Sequence, residues 1–505
     1  MSALALAIAA PAAAQDTQAP DNKPKPKVTP DEIAGPVGPA QVRSGSNAQP
    51  GDIVITGIRA SIQASLDQKR RNDMVSEVIT AEDIGKFPDK NVADSLGRLT
   101  GVNVVTGSAA AGGFGENSSV SIRGTDPTLN LTLLDGHSIA TGDWFVLDQT
   151  SGGRSFDFSL LPSEIVGKLE VYKSSEADLP EGGIGGTINL HSRMPLDLPA
   201  GTVTLTAQAN YNDLANKWEP QASGLVSWKN ASHTFGILAA GFYQKRDFRR
   251  DGQEFLGYTS YPDFGGSGQT ALAPNLIGEA YFRQQRIRKG GTVAVQWKPS
   301  NTFELALNGI YTRMDANNVN TNSMAWITNV MSNAASALTN YTITNGVVTS
   351  ASWANTTPDG TPVNGRVQDD IFRDSLSSTC VLNADATWHP TPALTVGGEI
   401  GYTEGKGETK DTYAWETYWH TGVDYQIQGK GAVVTYPGLP SDPTSAAYLD
   451  NYYNWSWGGR ITSPDKETYA KADVEYAFDN GWLRSLKAGA RYTNHEHSLI
   501  YDAYS

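Results

Sequence analysis

Two groups of aromatic residues, each set among acids and amides, are the side chains best suited to hold a small molecule. One is Asp143, Trp144 and Phe145. The other contains Tyr413, Trp415, Tyr418, Trp419, His420, Tyr452, Tyr453, Trp455 and Trp457. Sugars present apolar C–H faces that pack on flat rings, while Asp and Asn bind their hydroxyls, and small-molecule pockets mix aromatic bodies with a few convergent polar groups. Trp and Tyr also form the interfacial girdle of membrane barrels, so both readings stand at this stage. His495 and His497 share one strand face but have no third ligand nearby in sequence, so no metal site is expected there. Gly182 to Gly186 lacks the strand–turn–helix surroundings of a dinucleotide loop. No Ser/His/Asp set and no carboxylate pair stands at a catalytic spacing. The chain reads as a non-enzyme without a cofactor.

The bulk numbers narrow the classes. The 505 residues exceed one ordinary domain. No apolar run reaches the ~18 residues of a membrane helix, which leaves barrel strands open because they alternate and average out as hydrophilic. The 51 Gly, 21 Tyr and 12 Trp suit a Gly-turned, aromatic-girdled β protein. A net charge of −14 argues against a nucleic-acid partner. Cys380 is the only cysteine, which excludes an intrachain disulfide.

Residues 1–14 read as part of a secretory signal, with an apolar run from Ala3 to Ala10 and small residues at Ala12 to Ala14. No Lys or Arg precedes that run, so the expected true start lies upstream, or the chain is a fragment. Residues 15–51 form a Pro-rich tether. Asp52 to Gly57 is a short strand whose backbone needs a partner edge, in its own sheet or in another protein by β-augmentation.

A mixed α/β unit is expected over 58–200. Ala60 to Arg71 has helical spacing; Asn91 caps a helix over Val92 to Leu99, stopped by Gly101. Short strands are expected at Val75 to Ile79, Val102 to Thr106, Val120 to Arg123, Leu131 to Leu134, Leu169 to Tyr172 and Thr187 to Leu190, with a hairpin turn at Asp135-Gly136. Arg123, Glu164, Glu170 and Lys173 lie on these strands or just before one, where they would pair with a barrel wall or stay solvated.

From 201 to 505 the pattern becomes strand, long polar connection, strand, short turn. Long connections are expected near 248–280, 315–378 and 405–466. This is the signature of a transmembrane β-barrel, and about nine strands are present. A barrel wide enough for a plug needs ~22 strands and roughly 450–600 residues. The expectation is an incomplete barrel, about half of a closed one.

These residues resemble TonB-dependent outer-membrane receptors, strongly over 52–200 and by pattern beyond. The specific pieces are GIRASIQASLDQKR (Gly57 to Arg70), AEDIGKFPDKNVADSL (Ala81 to Leu96), SIRG (Ser121 to Gly124) and VYKSSEADLPEGGIGGTINL (Val171 to Leu190). They look most like the large proteobacterial branch associated with oligosaccharide uptake. The resemblance implies an N-terminal α/β plug inside an antiparallel transmembrane β-barrel in the Gram-negative outer membrane. It implies capture of an extracellular small molecule, energy from the inner-membrane TonB complex and passage to the periplasm. It assigns Asp52, Ile53, Val54, Ile55, Thr56 and Gly57 as the TonB box. The implied partners are TonB, the ligand, and outer-membrane lipid and lipopolysaccharide. The competing readings are a ferric-siderophore receptor of the same class, a surface lectin and a non-functional receptor fragment.

Overall fold

Side-chain alternation with a period of two runs through the chain from Thr202 onward, and it becomes a wall of long strands. A computed structural model describes residues 65–70, 72, 74–80, 91–105, 119–142, 156–161, 166–478 and 483–504. The first part is a mixed sheet. Strands β1 (Ser76–Thr80), β4 (Asn130–Leu134), β5 (His137–Ser138), β6 (Val166–Tyr172) and β7 (Gly186–Ser192) lie in the order β1-β6-β7-β4-β5. Only β4 and β7 run parallel. Strands β2 (Val102–Val105) and β3 (Ser119–Ile122) pair separately. Asp135 and Gly136 have φ of 53° and 85°, the left-handed pair that a two-residue hairpin requires, and Leu134 faces His137 across the turn.

Helix α1 (Val92–Leu96) is capped by the Asn91 side chain, which accepts from the Asp94 N–H at 3.2 Å. The helix stops earlier than expected. After Leu96 the backbone tightens into i→i−3 bonds, Arg98 to Ser95 and Leu99 to Leu96. Gly101 (φ 71°) therefore lies in the turn that leads into β2 rather than directly ending the helix. Val92, Leu96, Ile122, Phe158, Leu169, Ile188 and Leu190 form the core of this unit. Phe242, Ile310 and Val381 of the wall join the same cluster.

The wall holds nine long strands among the described residues: β8 (Thr202–Asn212), β9 (Lys217–Lys229), β10 (Phe235–Phe255), β13 (Ile277–Ser300), β14 (Phe303–Ala325), β17 (Arg366–Thr391), β18 (Leu394–Trp419), β22 (Gly459–Ala477) and β23 (Ser485–His497). Each pairs antiparallel with its neighbour in chain order. Strands β21 (Tyr452–Trp457) and β24 (Ile500–Ala503) add to β18 and β22.

Burial in this wall is inverted. The buried face carries Gln244, Arg246, Gln284, Arg286, Thr312, Ser375, Ser377 and Thr403, whereas Val203, Leu205, Val293, Leu382, Ile400 and Leu486 are exposed. In water this arrangement would be costly; around a polar interior and against lipid it is what the physics requires. Trp228, Trp297, Trp388 and Tyr476 lie exposed beside the short turns, forming an aromatic belt at that end.

The long connections are shorter than the sequence pattern implies. They shrink to 256–276, 326–365 and 420–458, because the strands continue well past the bilayer: β17 and β18 have 26 residues each, where about 10 span the hydrocarbon. The first outer connection, 213–216, is itself short. The remaining connections fold into a second sheet. Strands β11 (Tyr258–Tyr261), β12 (Ala271–Pro274), β16 (Val347–Trp353), β19 (Val423–Gln428) and β20 (Gly431–Thr435) follow in that order, with β15 (Leu338–Thr344) on β16. Phe264, Val348, Trp353 and Tyr425 pack beneath it with Ile327 and Val330 of helix α2 (Ile327–Ala334).

Candidate functional site

Strands β17 and β18 rise together to the outer mouth, where register decides which side chains meet. Asp369 pairs with Glu416 and Arg366 with Trp419. Strand β21 brings Tyr452 opposite Tyr418 and Trp455 opposite Glu416. Glu416 is buried and accepts from Asn454 Nδ2 at 2.8 Å and Trp455 Nε1 at 3.0 Å. The Tyr418 and Tyr452 rings meet edge to face at 5.6 Å, and the Tyr452 hydroxyl donates to Asn364 at 2.5 Å. His420 lies with its ring 4.6 Å from that of Tyr452.

The predicted aromatic group therefore divides. Tyr418, Tyr452 and Trp455 converge with Glu416. Trp415 is three positions from Tyr418 and falls on the opposite face of the strand. Trp419 is consumed internally: its indole donates to the Tyr448 carbonyl at 2.7 Å, and the Arg366 guanidinium lies 4.4 Å over its ring. Asp143, Trp144 and Phe145 lie outside the described residues, as do Asp52 to Gly57 and Glu164. Distance separates the convergent group from any girdle. Val396 is level with Trp388 of the belt, and Tyr418 lies 22 residues further along β18. At ~3.3 Å per residue and ~45° tilt that is roughly 50 Å of height, about twice the apolar band of ~25 Å.

The Asp369–Glu416 contact is a carboxyl pair that sequence spacing did not disclose; the partners are joined only by cross-strand register. Burial and the facing Glu416 push Asp369 up to about 7. Asp369 thus keeps a proton in the fold at a pH where the unfolded chain has lost it. Its contribution to stability is complete below about pH 4 and is lost as the pH rises through about 7. D369N keeps the hydrogen bond without the charge. Between pH 5 and 8.5 its melting temperature is expected to fall by roughly 3 °C less than that of the native chain. Parallel melting curves would remove the shared proton from the account.

The ion pairs that Glu170 and Lys173 make are not with the wall. Glu170 bonds His191 at 2.7 Å, Tyr172 at 2.6 Å, Gln68 at 2.6 Å and Lys168 at 3.0 Å, all within that sheet's own unit. Burial alone would raise it, but the bonds from His191 and Tyr172 and the Lys168 charge prevail and hold it at about 2. Lys173 bonds Glu77 at 3.1 Å and the Thr100 carbonyl at 2.6 Å. Arg123 sits exposed in a left-handed turn after β3 (φ 55°) and makes no wall ion pair among the described residues. Glu170 and Lys173 find their partners inside the unit because β6 is interior to its sheet and meets β1 and β7 on its two edges.

The actual seam is segment 135–142 and a few residues around it. Asp135 accepts from Asn308 at 2.7 Å, the Ala140 N–H donates to Thr403 Oγ1 at 2.9 Å, and Thr379 Oγ1 donates to the Ala140 carbonyl at 3.1 Å. The Thr141 N–H donates to Asp465 at 3.0 Å, and Lys487 pairs with Asp178 at 2.9 Å. His137 Nε2 lies 2.8 Å from Asp385, and its ring stacks on Tyr469 at 4.9 Å. Tyr469 in turn lies across Gly401, where any side chain would collide with it. Backbone meets backbone at Gly142 and Gly405. A Cβ on Gly142 would enter the Lys406 peptide, and one on Gly405 would come within 2.5 Å of the Thr141 carbonyl carbon.

Residues 68–187 match the TonB-dependent Receptor Plug Domain family. The ferric enterobactin receptor PirA of Pseudomonas aeruginosa is 30% identical over 170 residues, covering 32% of this chain and 21% of that protein. The vitamin B12 transporter BtuB of Photobacterium profundum is 33% identical over 114 residues, covering 22% of this chain and 16% of that protein. Among solved structures, a mutant of the ferric enterobactin receptor PfeA of Pseudomonas aeruginosa superposes with a TM-score of 0.37 at 13% identity, covering 86% of this chain and 72% of that one. The matched stretches span about a fifth of the length of these curated relatives. The chain joins a TonB-dependent receptor plug domain to a barrel-type antiparallel wall with an apolar exterior, and its place is the Gram-negative outer membrane.

Proposed function

We propose that this chain acts as a TonB-dependent outer-membrane receptor that binds an extracellular nutrient at its mouth and imports it into the periplasm. The observation that carries the reading is the inverted burial of the wall around a matched plug unit. Lipid and lipopolysaccharide meet the apolar outer face. Residues 52–57 serve as the TonB box, and residues 58–200 and 201–505 act as plug and wall.

A neutral, hydroxyl-rich ligand, an oligosaccharide, fits the mouth best. Tyr452 and Trp455 offer ring faces, with the buried Tyr418 ring supporting Tyr452 edge to face, and Asp369 and Glu416 offer a hydrogen-bonding carboxyl pair. The names of the enterobactin-receptor relatives favour a second reading, a ferric siderophore. A multiply anionic ferric catecholate would meet Asp369 and Glu416 at that mouth, which disfavours it.

Calorimetric titration of the purified chain with linear oligosaccharides and with a ferric catecholate separates the two. The expected result is saturable oligosaccharide binding that W455A weakens about tenfold. Binding of the ferric complex alone would replace the first reading with the second, and binding of neither would end both.

A further inference from the structure

Strand β5 sets one imidazole against two carboxylates of the wall. His137 is almost wholly buried, with Nε2 2.8 Å from Asp385 Oδ1 of β17 and Nδ1 3.4 Å from Glu399 Oε2 of β18. A ring nitrogen and one oxygen from each carboxylate lie within 4.8 Å of one another. An imidazole with two carboxylates is a donor set for a divalent cation of the zinc type. Ligands ~2.0–2.1 Å from one ion stand roughly 3 Å apart. The His137–Asp385 separation of 2.8 Å is already close to that. Asp385 and Glu399 are register partners, so their backbones are fixed, and rotation of the Glu399 side chain closes the set. Both carboxylates are partly exposed, which gives a hydrated ion a way in.

Two further oxygens at the same place lack a partner. Asn383 and Tyr469 are buried, and neither Asn383 Oδ1 nor the Tyr469 hydroxyl makes a hydrogen bond among the described residues. Buried oxygens in that state are uncommon and costly. The Asn383 amide is turned to the site, since its Nδ2 donates to Asp385 Oδ2 at 3.1 Å. Tyr469 stacks on the His137 ring, and its hydroxyl lies over Gly401, the register partner of Asn383 and two residues from Glu399 on the same face of β18.

The surrounding charge also favours a cation. Asp385, Glu399 and Asp473 of β22 face Lys471, which lies 3.3 Å from Glu399 and 3.9 Å from Asp473. Lys487 of β23 is 3.9 Å from Asp473 and is held by Asp178 at 2.9 Å. Arg491, over the Tyr469 ring, is held by Glu467 at 3.1 Å. With a neutral imidazole these groups carry two negative charges in excess, which one divalent cation cancels.

We propose that His137, Asp385 and Glu399 bind one divalent cation of the zinc type, and that the ion clasps the plug hairpin to the wall. The clasp rests on the seam and not on the mouth, so it stands or falls separately from the nutrient reading. Purified full chain, stripped with a chelator and dialysed against zinc chloride, tests it by elemental analysis of the bound metal. The native chain and H495Q are expected to hold one equivalent of zinc more than D385N/E399Q. Zinc is also expected to slow hydrogen–deuterium exchange of residues 137–142 about tenfold in the native chain and not in the double variant. Equal zinc in the native chain and D385N/E399Q, or exchange in the native chain that zinc leaves unchanged, overturns the proposal. If the double variant does not fold, H137Q takes its place, and zinc content equal to the native is equally fatal.

Discussion

Proline at Val54 or Ile55 is expected to lower affinity for the periplasmic domain of TonB at least ~100-fold, while V54T binds nearly as the native chain does. The contrast follows from how an edge strand is recognised. In β-augmentation the affinity comes from main-chain hydrogen bonds. Proline removes an N–H donor and forbids the ladder, whereas threonine keeps the backbone and the strand preference. The segment is followed by a polar, basic stretch and preceded by a Pro-rich one, so nothing in its own composition offers a second apolar face. Calorimetry with the full chain and the isolated TonB domain reads the difference directly. Proline variants that bind like the native chain would show that residues 52–57 are not the contact.

G405V is expected to unseat the plug from the wall, with G398V on the same strand as a silent control. Valine at 405 would place its Cβ within 2.5 Å of the Thr141 carbonyl carbon, and backbone cannot rotate away as a side chain can. Nothing lies within 4 Å of a Cβ on Gly398. The displacement would also break the bonds that Thr379 and Thr403 make to Ala140, next to the contact. Overpacking of this kind costs about 1–3 kcal/mol before the lost bonds are added. In cells, the expected consequence is a rise of about tenfold in sensitivity to bulky hydrophilic antibiotics, with purified protein melting several degrees lower. Equal permeability of the two variants would mean that this contact does not seat the plug.

The parts of the fold legible in the sequence are those governed by local rules. Val203, Leu205 and their alternating successors reveal strands because side chains change face every residue. Asp135-Gly136 reveals a hairpin because few residues accept two positive φ angles. The strand count also emerges, since each strand contributes its own pattern. Connection lengths do not. Once β17 and β18 leave the bilayer, no lipid demands an apolar face, and residues such as Gln368 to Asp370 read as loop while pairing as strand. The candidate site was half legible for the same reason. Tyr418, Tyr452 and Trp455 stand out by type, but which of them converge depends on register. Asp369 and Glu416, or His137 with Asp385 and Glu399, become neighbours only through pairings far apart in the chain.

The outer sheet carries a consequence for immune recognition. Its strands come from residues 258–274, 338–353 and 423–435, knitted into one ordered layer over a shared core of Phe264, Trp353 and Tyr425. An antibody raised against the folded protein would read a surface assembled from three separate stretches. Linear peptides copied from any one of them would present its residues without their neighbours, and would make poor immunogens against the intact cell.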